Sequence, residues 1–492
     1  MTKAAHITYP ANGDLDPSDW DEFQAALQTV LDAAFSKFQT AEIGPVWTAP
    51  TDALRDQLSA PLPTQGTELA ELTQRLVDLL PYGVGNTHPR FFGWVNGAGA
   101  PGNLLAEIIA SAMNANCGGR NHAAILVERQ VISWCKSLFE FPDAASGLIV
   151  SGTSMATIIA AKAARDAALG PDGRKTGLAG ARLTGYTSEQ AHSCLGRAFD
   201  MLGLGTDSLR KIPVTKDFEI DLGALADQIE RDRADGFRPF FVSGNAGTVN
   251  TAAIDDLDRL ASLSQSEKLW FHVDGAFAAC AKTSATLAPR LRGIERADSL
   301  AFDFHKWMHV NYDAGCVLIR DEQAHRQAFA KRPDYLVSGG TALAGGEPWP
   351  VDFGPELSRC FRALKVWAHL LEHGTEKIGR SIEKNCAQAA HLGQLTNAHS
   401  NFELLAPVSL NICCLRYIAP DMTDDDLDEL NNRIVERVQA DGVAAPSTTR
   451  IHGKLAIRVN ITNHRTETSD IEILFEALQA TADRLLAERA NA

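Results

Sequence analysis

The chain has 492 residues, of which 45% are apolar and 22% charged, as in ordinary globular proteins. Its formal net charge of −15 argues against nucleic-acid binding, which needs clustered lysine and arginine. No apolar run approaches the roughly 18 residues of a membrane helix, and the first residues lack an apolar signal core. The nine cysteines form no C-x-x-C pair, so we expect reduced thiols in a cytoplasmic protein with no metal site.

The N-terminal part has the spacing of apolar residues that is typical of helices. This pattern predicts helices over 19–38 and 68–80, joined by a proline-spaced stretch over 45–63. The segment is too small to bury a core alone. We therefore expect residues 1–85 to form a helical extension that packs on the rest of the protein or on a partner subunit.

From about residue 86, short apolar runs alternate with helical stretches. The predicted strands are 147–150, 182–186, 239–243, 269–273, 299–302 and 315–319, and the predicted helices between them are 154–168, 191–202, 223–233 and 255–264. This alternation predicts an α/β fold with a mostly parallel sheet, which binds ligands at the carboxyl ends of its strands.

The remaining chain predicts a long helix and then a smaller mixed domain. The long helix covers 361–396, the later strands cover 410–417 and 454–460, and the later helices cover 423–441 and 469–487. We expect the large ligand-binding domain to span 86–365 and the small C-terminal α/β domain to span 366–492.

Polar residues follow the first three predicted strands, at the edge of the sheet where ligands are expected to bind. Thr153 and Ser154 open a helix after a glycine, where hydroxyls beside free N–H groups suit a phosphate or simply cap the helix. His192 is predicted about one turn into the next helix, as a ligand contact or a structural histidine. Thr248 follows Gly247, which permits close approach of a ligand to the backbone or makes a simple turn.

Two further residues follow the next strands. Asp274 ends an apolar strand, where it either pairs with a protonated ring nitrogen or caps a helix. Lys306 lies in a mostly apolar setting, where a desolvated lysine becomes a nucleophile, although a surface lysine is the commoner case. A phosphate cup, an imidazole, an acid and a buried lysine are together the parts of a pyridoxal phosphate site.

Eight short runs in this order carry a family resemblance. They are HPRFF at 88–92, SGTSMAT at 151–157, SEQAHS at 188–193, GTVN at 247–250, HVD at 272–274, GIERAD at 293–298, HKW at 305–307 and RCFRALK at 359–365. With these runs the chain resembles the group II pyridoxal phosphate-dependent amino-acid decarboxylases. The resemblance implies a fold-type-I, aspartate-aminotransferase-like architecture, the cofactor pyridoxal 5'-phosphate, and a homodimer with active sites at the subunit interface.

The resemblance also implies roles for individual residues. Lys306 would carry the cofactor as a Schiff base, His192 would stack on its ring, and Asp274 would pair with the ring nitrogen. The other implied cofactor contacts are Ala276 on the second ring face, Thr248 near the ring, and Thr153, Ser154, Asp303 and His305 at the phosphate. The implied reaction releases CO2 from an L-amino acid and leaves the amine.

The sequence departs from the family in the loop before Arg359. Relatives carry there a tyrosine that assists protonation of the α-carbon, whereas residues 338–357 contain none. Pro350 falls near the expected place, and Tyr335 lies earlier. Relatives that replace this tyrosine can make an aldehyde with oxygen. The alternatives to a decarboxylase are therefore an oxygen-consuming aldehyde synthase or a catalytically silent protein that keeps the cofactor fold.

A second departure lies at residues 118–122, which replace the family's usual Ser-Pro-Ala-type sequence. In relatives this region approaches the substrate side chain. Arg120 could contact an acidic side chain and His122 could make a polar contact, although both suit a solvated loop equally. The candidate substrate contacts are Phe92, Trp94, Arg120, His122 and Trp349. They do not identify the amino acid.

Overall fold

A computed structural model of the protein describes residues 15–331 and 342–491. Contacts between residues divide it into two compact units. The first unit consists of Thr48–Val84 and the described part of Met1–Ala41, and the second consists of Glu42–Trp47 and the described part of Gly85–Ala492.

The first unit is helical, as the sequence predicted. Its helices are α1 (Trp20–Gln39), α2 (Asp52–Leu58) and α3 (Leu69–Asp78), and α3 is followed by a 3₁₀ turn at Leu80–Tyr82. The Asp19 carboxylate caps α1 by accepting the backbone N–H groups of Asp21 and Glu22. No residue of α1 is buried, and its aromatic residues Trp20 and Phe23 are exposed.

The second unit contains the remaining helices and all twelve described strands. Its first part comprises β1 (Phe91–Phe92), α4 (Asn103–Met113), α5 (Ala123–Leu138), β2 (Ser146–Val150), α6 (Thr153–Leu169), α7 (Gly173–Thr176), β3 (Leu183–Ser188), α8 (Cys194–Met201), β4 (Leu209–Ile212), α9 (Leu222–Ala234), β5 (Arg238–Asn245), α10 (Leu257–Glu267), β6 (Trp270–Asp274), β7 (Ser299–Asp303), β8 (Gly315–Ile319) and α11 (Glu322–Phe329). Its second part comprises α12 (Arg362–Ala398), β9 (Phe402–Leu404), β10 (Ile412–Tyr417), α13 (Asp424–Ala440), β11 (Ala445–Ile451), β12 (Lys454–Asn460) and α14 (Thr468–Ala490).

The larger sheet has seven strands in the order β2-β8-β7-β6-β5-β3-β4. Only β8 runs antiparallel to its neighbours, so the expectation of a mostly parallel sheet in an α/β fold is confirmed. Its strands are buried along nearly their whole length, because helices cover both faces of such a sheet. α6 packs closely through small residues, among them the fully buried Ala156, Ala160 and Ala163. The carboxyl ends of the parallel strands share one edge, which positions the residues that follow them.

The smaller sheet has five strands in the order β1-β11-β12-β10-β9. Its β1 strand runs parallel to β11, with Phe91 opposite Ala445, while the other pairs are antiparallel. α13 and α14 pack near it through Ile434 and Leu474, both fully buried. Two residues from the early chain thus complete a sheet that otherwise comes from the last hundred residues.

The structure differs from the predicted elements in several strands and in the long helix. The strands β1, β4, β9 and β11 were not predicted, because β1, β4 and β9 are short and β11, with the sequence APSTTRI, lacks apolar alternation. The long helix α12 is interrupted at Gly374, whose φ of 64° is compatible with glycine. Among residues 15–331 and 342–491, no helix combines the length and apolarity needed to cross a membrane.

Candidate active site

The turn between β2 and α6 forms a corner at the N-terminus of a helix. Gly152, the N-cap residue of α6, has no side chain, and the backbone N–H of Thr153, the first residue of α6, donates to the Asp303 carboxylate instead. The Thr153 hydroxyl is buried and finds no hydrogen-bond partner within the described part of the chain. Ser154 follows on the exposed side of the same turn. An orphaned hydroxyl at a helix N-terminus suits a phosphate, because the helix dipole favours an anion there.

Lys306 lies beyond the end of β7 and is held by Asp303. The Lys306 Nζ is 2.8 Å from Oδ2 of Asp303, whose Oδ1 accepts the backbone N–H of Thr153 at 2.6 Å. Burial acts to lower the pKa of Lys306, but the Asp303 carboxylate outweighs it and the pKa lies above its usual value. His305 lies 3.8 Å from Asp303, and burial lowers the pKa of its ring.

Asp274 ends β6 and faces the same space. It is 4% exposed, and its Oδ1 accepts the backbone N–H of Ala276 at 3.1 Å. Burial raises the pKa of this carboxyl, although the nearby Lys306 charge opposes the shift. The thiol of Cys194 lies 3.9 Å from the other carboxylate oxygen. A buried carboxylate that forms no ion pair with the described residues suits a protonated ring nitrogen.

His192 lies in the turn before α8 rather than one turn into the helix, so that prediction is wrong. α8 begins only at Cys194, whose backbone N–H donates to Nδ1 of His192 at 3.2 Å. Burial lowers the pKa of this ring, with Asp274 acting in the opposite direction. The helical composition of residues 191–202 did not reveal this turn.

Of these side chains, Lys306, Asp274 and His192 line one cavity of about 280 Å³, whereas Thr153, Asp303 and His305 are not among its lining residues. Its lining includes Trp94, His192, Thr248, Asp274, Ala276 and Lys306. The volume and the donor set fit pyridoxal phosphate, since a lysine, a buried acid and an imidazole face one space beside the corner at Thr153. The structure therefore brings together most of the residues that the sequence predicted to bind this cofactor.

Arg458 also lines this cavity, and the sequence analysis missed it. It is 3% exposed on β12, where Nε donates to Val249 O at 2.8 Å and Nη1 donates to Trp94 O at 2.9 Å. Its Nη2 has no partner in residues 15–331 and 342–491. Burial lowers the pKa of this guanidinium to about 10. An arginine within the apolar strand over 454–460 was the signal that could have identified it.

The five predicted substrate contacts do not come together within one chain. Trp94 lines the Lys306 cavity, but Phe92 is fully buried in the core beside β11 and is not brought to it. Arg120 and Trp349 line a separate cavity of about 260 Å³, with the Arg120 guanidinium 4.8 Å from the Trp349 ring. His122 lies nearby, with its Nε2 3.2 Å from Gly119 O.

The segment before Arg359 contains no tyrosine over its described residues 342–358. Pro350 begins a short 3₁₀ turn, and the preceding Trp349 is 1% exposed. Tyr335 lies outside the described residues. Tyr312 contacts the Lys306 segment instead, with its ring 4.4 Å from the His305 ring and its hydroxyl 2.8 Å from Asn96 Oδ1.

Comparison with known proteins identifies the class to which this fold and cavity belong. A model of the pyridoxal-dependent decarboxylase conserved domain matches residues 50–418. An aromatic-L-amino-acid decarboxylase of Bacillus atrophaeus is 34% identical over 445 residues, which cover 89% of this chain and 90% of the relative. A phenylacetaldehyde synthase of Arabidopsis thaliana is 26% identical over 495 residues, which cover 96% and 95%. The crystal structure of Oryza sativa TDC with PLP and tryptamine has a TM-score of 0.88 at 25% identity and covers 96% of this chain and 100% of that chain.

The fold and the cavity thus define a fold-type-I enzyme that depends on pyridoxal phosphate. The chain belongs to the pyridoxal-dependent decarboxylase family. It is a carboxy-lyase that uses pyridoxal 5'-phosphate to decarboxylate an amino acid. The predictions of family, fold class, cofactor and reaction are therefore confirmed.

Proposed function

We propose that the cavity beside Lys306 is the site of this decarboxylation, and that the enzyme converts an aromatic L-amino acid to its amine. The convergence of Lys306, Asp274 and His192 on one cavity carries this proposal. Trp94 supplies an aromatic wall, and the Bacillus atrophaeus relative is named as an aromatic-L-amino-acid decarboxylase. Lys306 would hold the cofactor covalently through Nζ.

Two hydroxyls hold the cofactor phosphate in this proposal. Thr153 and Ser154 stand on the first turn of α6, where the helix dipole adds to their hydrogen bonds. The orphaned hydroxyl of Thr153 supports this role, because a buried hydroxyl without a partner costs free energy. His305 lies beside this corner and completes its wall, with its ring carbon near Gly152.

Four residues bind the cofactor ring. Asp274 pairs with the ring nitrogen, and this pairing offsets the cost of burying its charge. His192, Ala276 and Thr248 line the same cavity, where His192 and Ala276 would cover the two ring faces and Thr248 would contact the ring edge. When bound, the cofactor supplies an electron sink for the pair left on the α-carbon as CO2 departs.

Arg458 orients the substrate carboxylate. Its Nη2 has no hydrogen-bond partner among the described residues, while its other nitrogens are fixed by Val249 and Trp94. A guanidinium held in this way positions a carboxylate without reorganising. The bond that breaks is thereby held in one orientation relative to Lys306.

The test is product analysis of the cofactor-loaded enzyme with aromatic and acidic amino acids. We expect amine and CO2 in equal amounts from an aromatic substrate, and no turnover by Lys306→Ala. Preference for an acidic substrate would refute the substrate class. Undiminished turnover by Lys306→Ala would refute the site.

The second candidate function is an oxygen-consuming aldehyde synthase. It is favoured by the absence of tyrosine from residues 342–358 and by the similarity to the Arabidopsis thaliana phenylacetaldehyde synthase. In that reaction the amino acid, O2 and water give the aldehyde, CO2, ammonia and hydrogen peroxide. An oxygen electrode distinguishes the two functions, because decarboxylation to the amine consumes no oxygen.

We further propose that the enzyme is a homodimer with shared active sites. α4 exposes the apolar side chains of Leu105, Ile109 and Met113, which are 68%, 53% and 44% exposed in the single chain. Such an exposed apolar face is typical of a subunit interface. We place Arg120 near the partner subunit's site, together with His122 and Trp349, and residues 1–85 around the partner.

Hybrid dimers test the shared sites. Co-expressed Lys306→Ala and Arg120→Ala chains would recover about a quarter of the wild-type activity, because half of the dimers are hybrids with one intact site each. No recovery, although Arg120→Ala alone is inactive, would refute this arrangement. For the location we propose the cytoplasm, in keeping with nine free cysteines, and cell fractionation tests it.

A further inference from the structure

Both carboxylate oxygens of Asp303 make short contacts within the protein. Asp303 closes β7 with 3% exposure, and each of its carboxylate oxygens already accepts a short hydrogen bond. Oδ1 lies 2.6 Å from the Thr153 backbone nitrogen, and Oδ2 lies 2.8 Å from the Lys306 Nζ. The buried carboxylate therefore links the lysine to the N-terminus of α6.

The charge of Asp303 also contradicts a role in holding phosphate. An ionised carboxylate only accepts hydrogen bonds, and it repels a phosphate dianion at short range. The role implied by the family resemblance does not fit this geometry. The contacts of Asp303 are instead those of a counterion, with a cation on one oxygen and a helix N–H on the other.

We propose that Asp303 is the counterion of the Lys306 ammonium and acts as a positioning residue for it. Asp303 keeps Nζ protonated and beside α6 while the lysine is not bonded to an aldehyde. It pairs with the lysine again each time the incoming substrate amine displaces Nζ. This inference rests on the proposed role of Lys306.

Other titratable groups surround Lys306, but the short contact belongs to Asp303. The titratable groups that interact electrostatically with Lys306 are Asp274, Asp303, His192, His305, Tyr312 and Cys194. The rings of His192 and His305 have lowered pKa values through burial, so they add little positive charge at neutral pH. Removing the Asp303 charge should therefore shift the protonation of Lys306 more than any other single change.

The experiment follows capture of pyridoxal, which lacks the phosphate, by the cofactor-free protein. The free amine of Lys306 attacks the aldehyde carbon, water leaves and a C=N bond forms, after the ammonium has lost its proton to solvent. Borohydride reduces the bond, and mass spectrometry quantifies the modified Lys306 peptide. Initial rates are measured from about pH 6.5 to about 9.5.

Asp303→Asn should capture pyridoxal faster at neutral pH, by about tenfold for each unit by which the Lys306 pKa falls. Its rate should level off at a lower pH than that of the wild type. Asp303→Glu keeps the charge and should stay close to the wild type. Asp166→Asn is the matched control. It removes the carboxylate of the remote Lys162–Asp166 pair and should leave the rate of pyridoxal capture unchanged.

An unchanged or slower rate in Asp303→Asn would overturn the proposal and leave Asp303 as a cap of α6. If that variant does not fold, the pH dependence of the wild-type capture rate tests the proposal. Its rate should keep rising about tenfold per pH unit to the end of the range, and a plateau below about pH 9 would overturn the counterion role. Failure of the wild type to modify Lys306 at any pH would instead refute the proposed role of Lys306.

Discussion

A cluster of four histidines, of which His309 and His369 are buried and His373 and His464 half-buried, should make the protein sensitive to acid. His309 and His464 lie with ring centroids 4.9 Å apart, and His369 and His373 lie 4.6 Å apart. Both ring nitrogens of His309 lack a hydrogen-bond partner among the described residues. Asn103 joins the cluster through a 3.4 Å contact with His369. We call these four residues the histidine cluster.

Burial is the main cause that lowers the pKa values in the histidine cluster. It lowers the pKa of His369 to about 3 and that of His464 to about 4, and it holds the pKa of His309 well below its usual 6.5. The native rings therefore stay neutral where the unfolded chain binds protons. Their contribution to stability is complete above about pH 6.5 and is lost as the pH falls toward the folded values.

The loss in free energy of unfolding follows from the difference in bound protons between the folded and the unfolded chain. Each of His309, His369 and His464 lowers the free energy of unfolding by about 1.4 kcal/mol per pH unit below the unfolded pKa. Over two pH units His369 and His464 together remove about 5 kcal/mol, a large part of the stability of a domain, and His309 acts in the same direction.

The perturbation is His309→Leu, and the assay is the difference in potentiometric titration between native and urea-unfolded protein. At about pH 5, unfolding of the variant should take up about one proton fewer per chain than unfolding of the wild type. Buried Asp255 and Asp298, whose pKa values are raised by burial, act in the opposite direction. Their effect is common to both proteins and cancels in the comparison.

His325→Leu is a matched comparison. Burial lowers the pKa of His325 to about 3, so the same loss of one proton is expected. Its ring nitrogens bind Ser146 Oγ at 2.8 Å and Phe353 O at 2.7 Å, however, so this variant should also lose stability at neutral pH. Equal proton uptake by the wild type and His309→Leu would refute the reasoning, since it would mean that the native His309 binds a proton at this pH.

Three other changes have defined outcomes. Arg458→Met should cost about 1.5–3 kcal/mol of transition-state binding, a loss of roughly ten- to hundredfold in kcat/KM, with the bound cofactor spectrum retained. Glu128→Gln should destabilise the protein by about 3–5 kcal/mol in urea unfolding, because it leaves the buried Arg359 charge without the carboxylate that lies 2.6 Å away. Gly119→Ala should displace Trp349 and change the tryptophan fluorescence, since the added Cβ would lie 2.7 Å from the indole.

Each of these three predictions has its own control. Arg458→Lys keeps the charge and should recover part of kcat/KM, whereas an unchanged value in Arg458→Met would exclude Arg458 from substrate binding. Glu128→Gln combined with Arg359→Met should regain stability, because no buried charge then lacks a partner. Gly196→Ala has open space at its Cβ and should leave the fluorescence unchanged. A Gly119→Ala spectrum identical to that of the wild type would contradict the packing at Trp349.

The sequence predicted the parts of the fold that depend on local periodicity. The strands at β2, β6 and β8 were located within a residue or two, because short apolar runs between helical stretches are a strong local signal. Residues that follow such strands share one edge in a parallel sheet. Thr153, Asp274 and Lys306 could therefore be expected in one site before any contact was known.

The remaining features depend on contacts between distant residues, which periodicity does not report. β1 has only two residues and pairs with β11, more than 300 positions away. Arg458 stands out as a charged residue in an apolar strand, but periodicity does not report that Val249 and Trp94 hold it at the cavity. Arg120 and Trp349 are likewise far apart in the sequence, and only the folded structure brings them into contact.

The pairing of β1 with β11 makes the order of synthesis matter. The Arg90 side chain donates to Val443 O at 2.8 Å, and Thr466 donates to Pro89 O at 2.6 Å, so several contacts anchor the early segment at the far end of the chain. During synthesis on the ribosome, Phe91 and Phe92 emerge long before β11, with which they pair, has been made. Nascent or truncated chains therefore leave two phenylalanines exposed to chaperones and proteases, and only a complete chain can cover them.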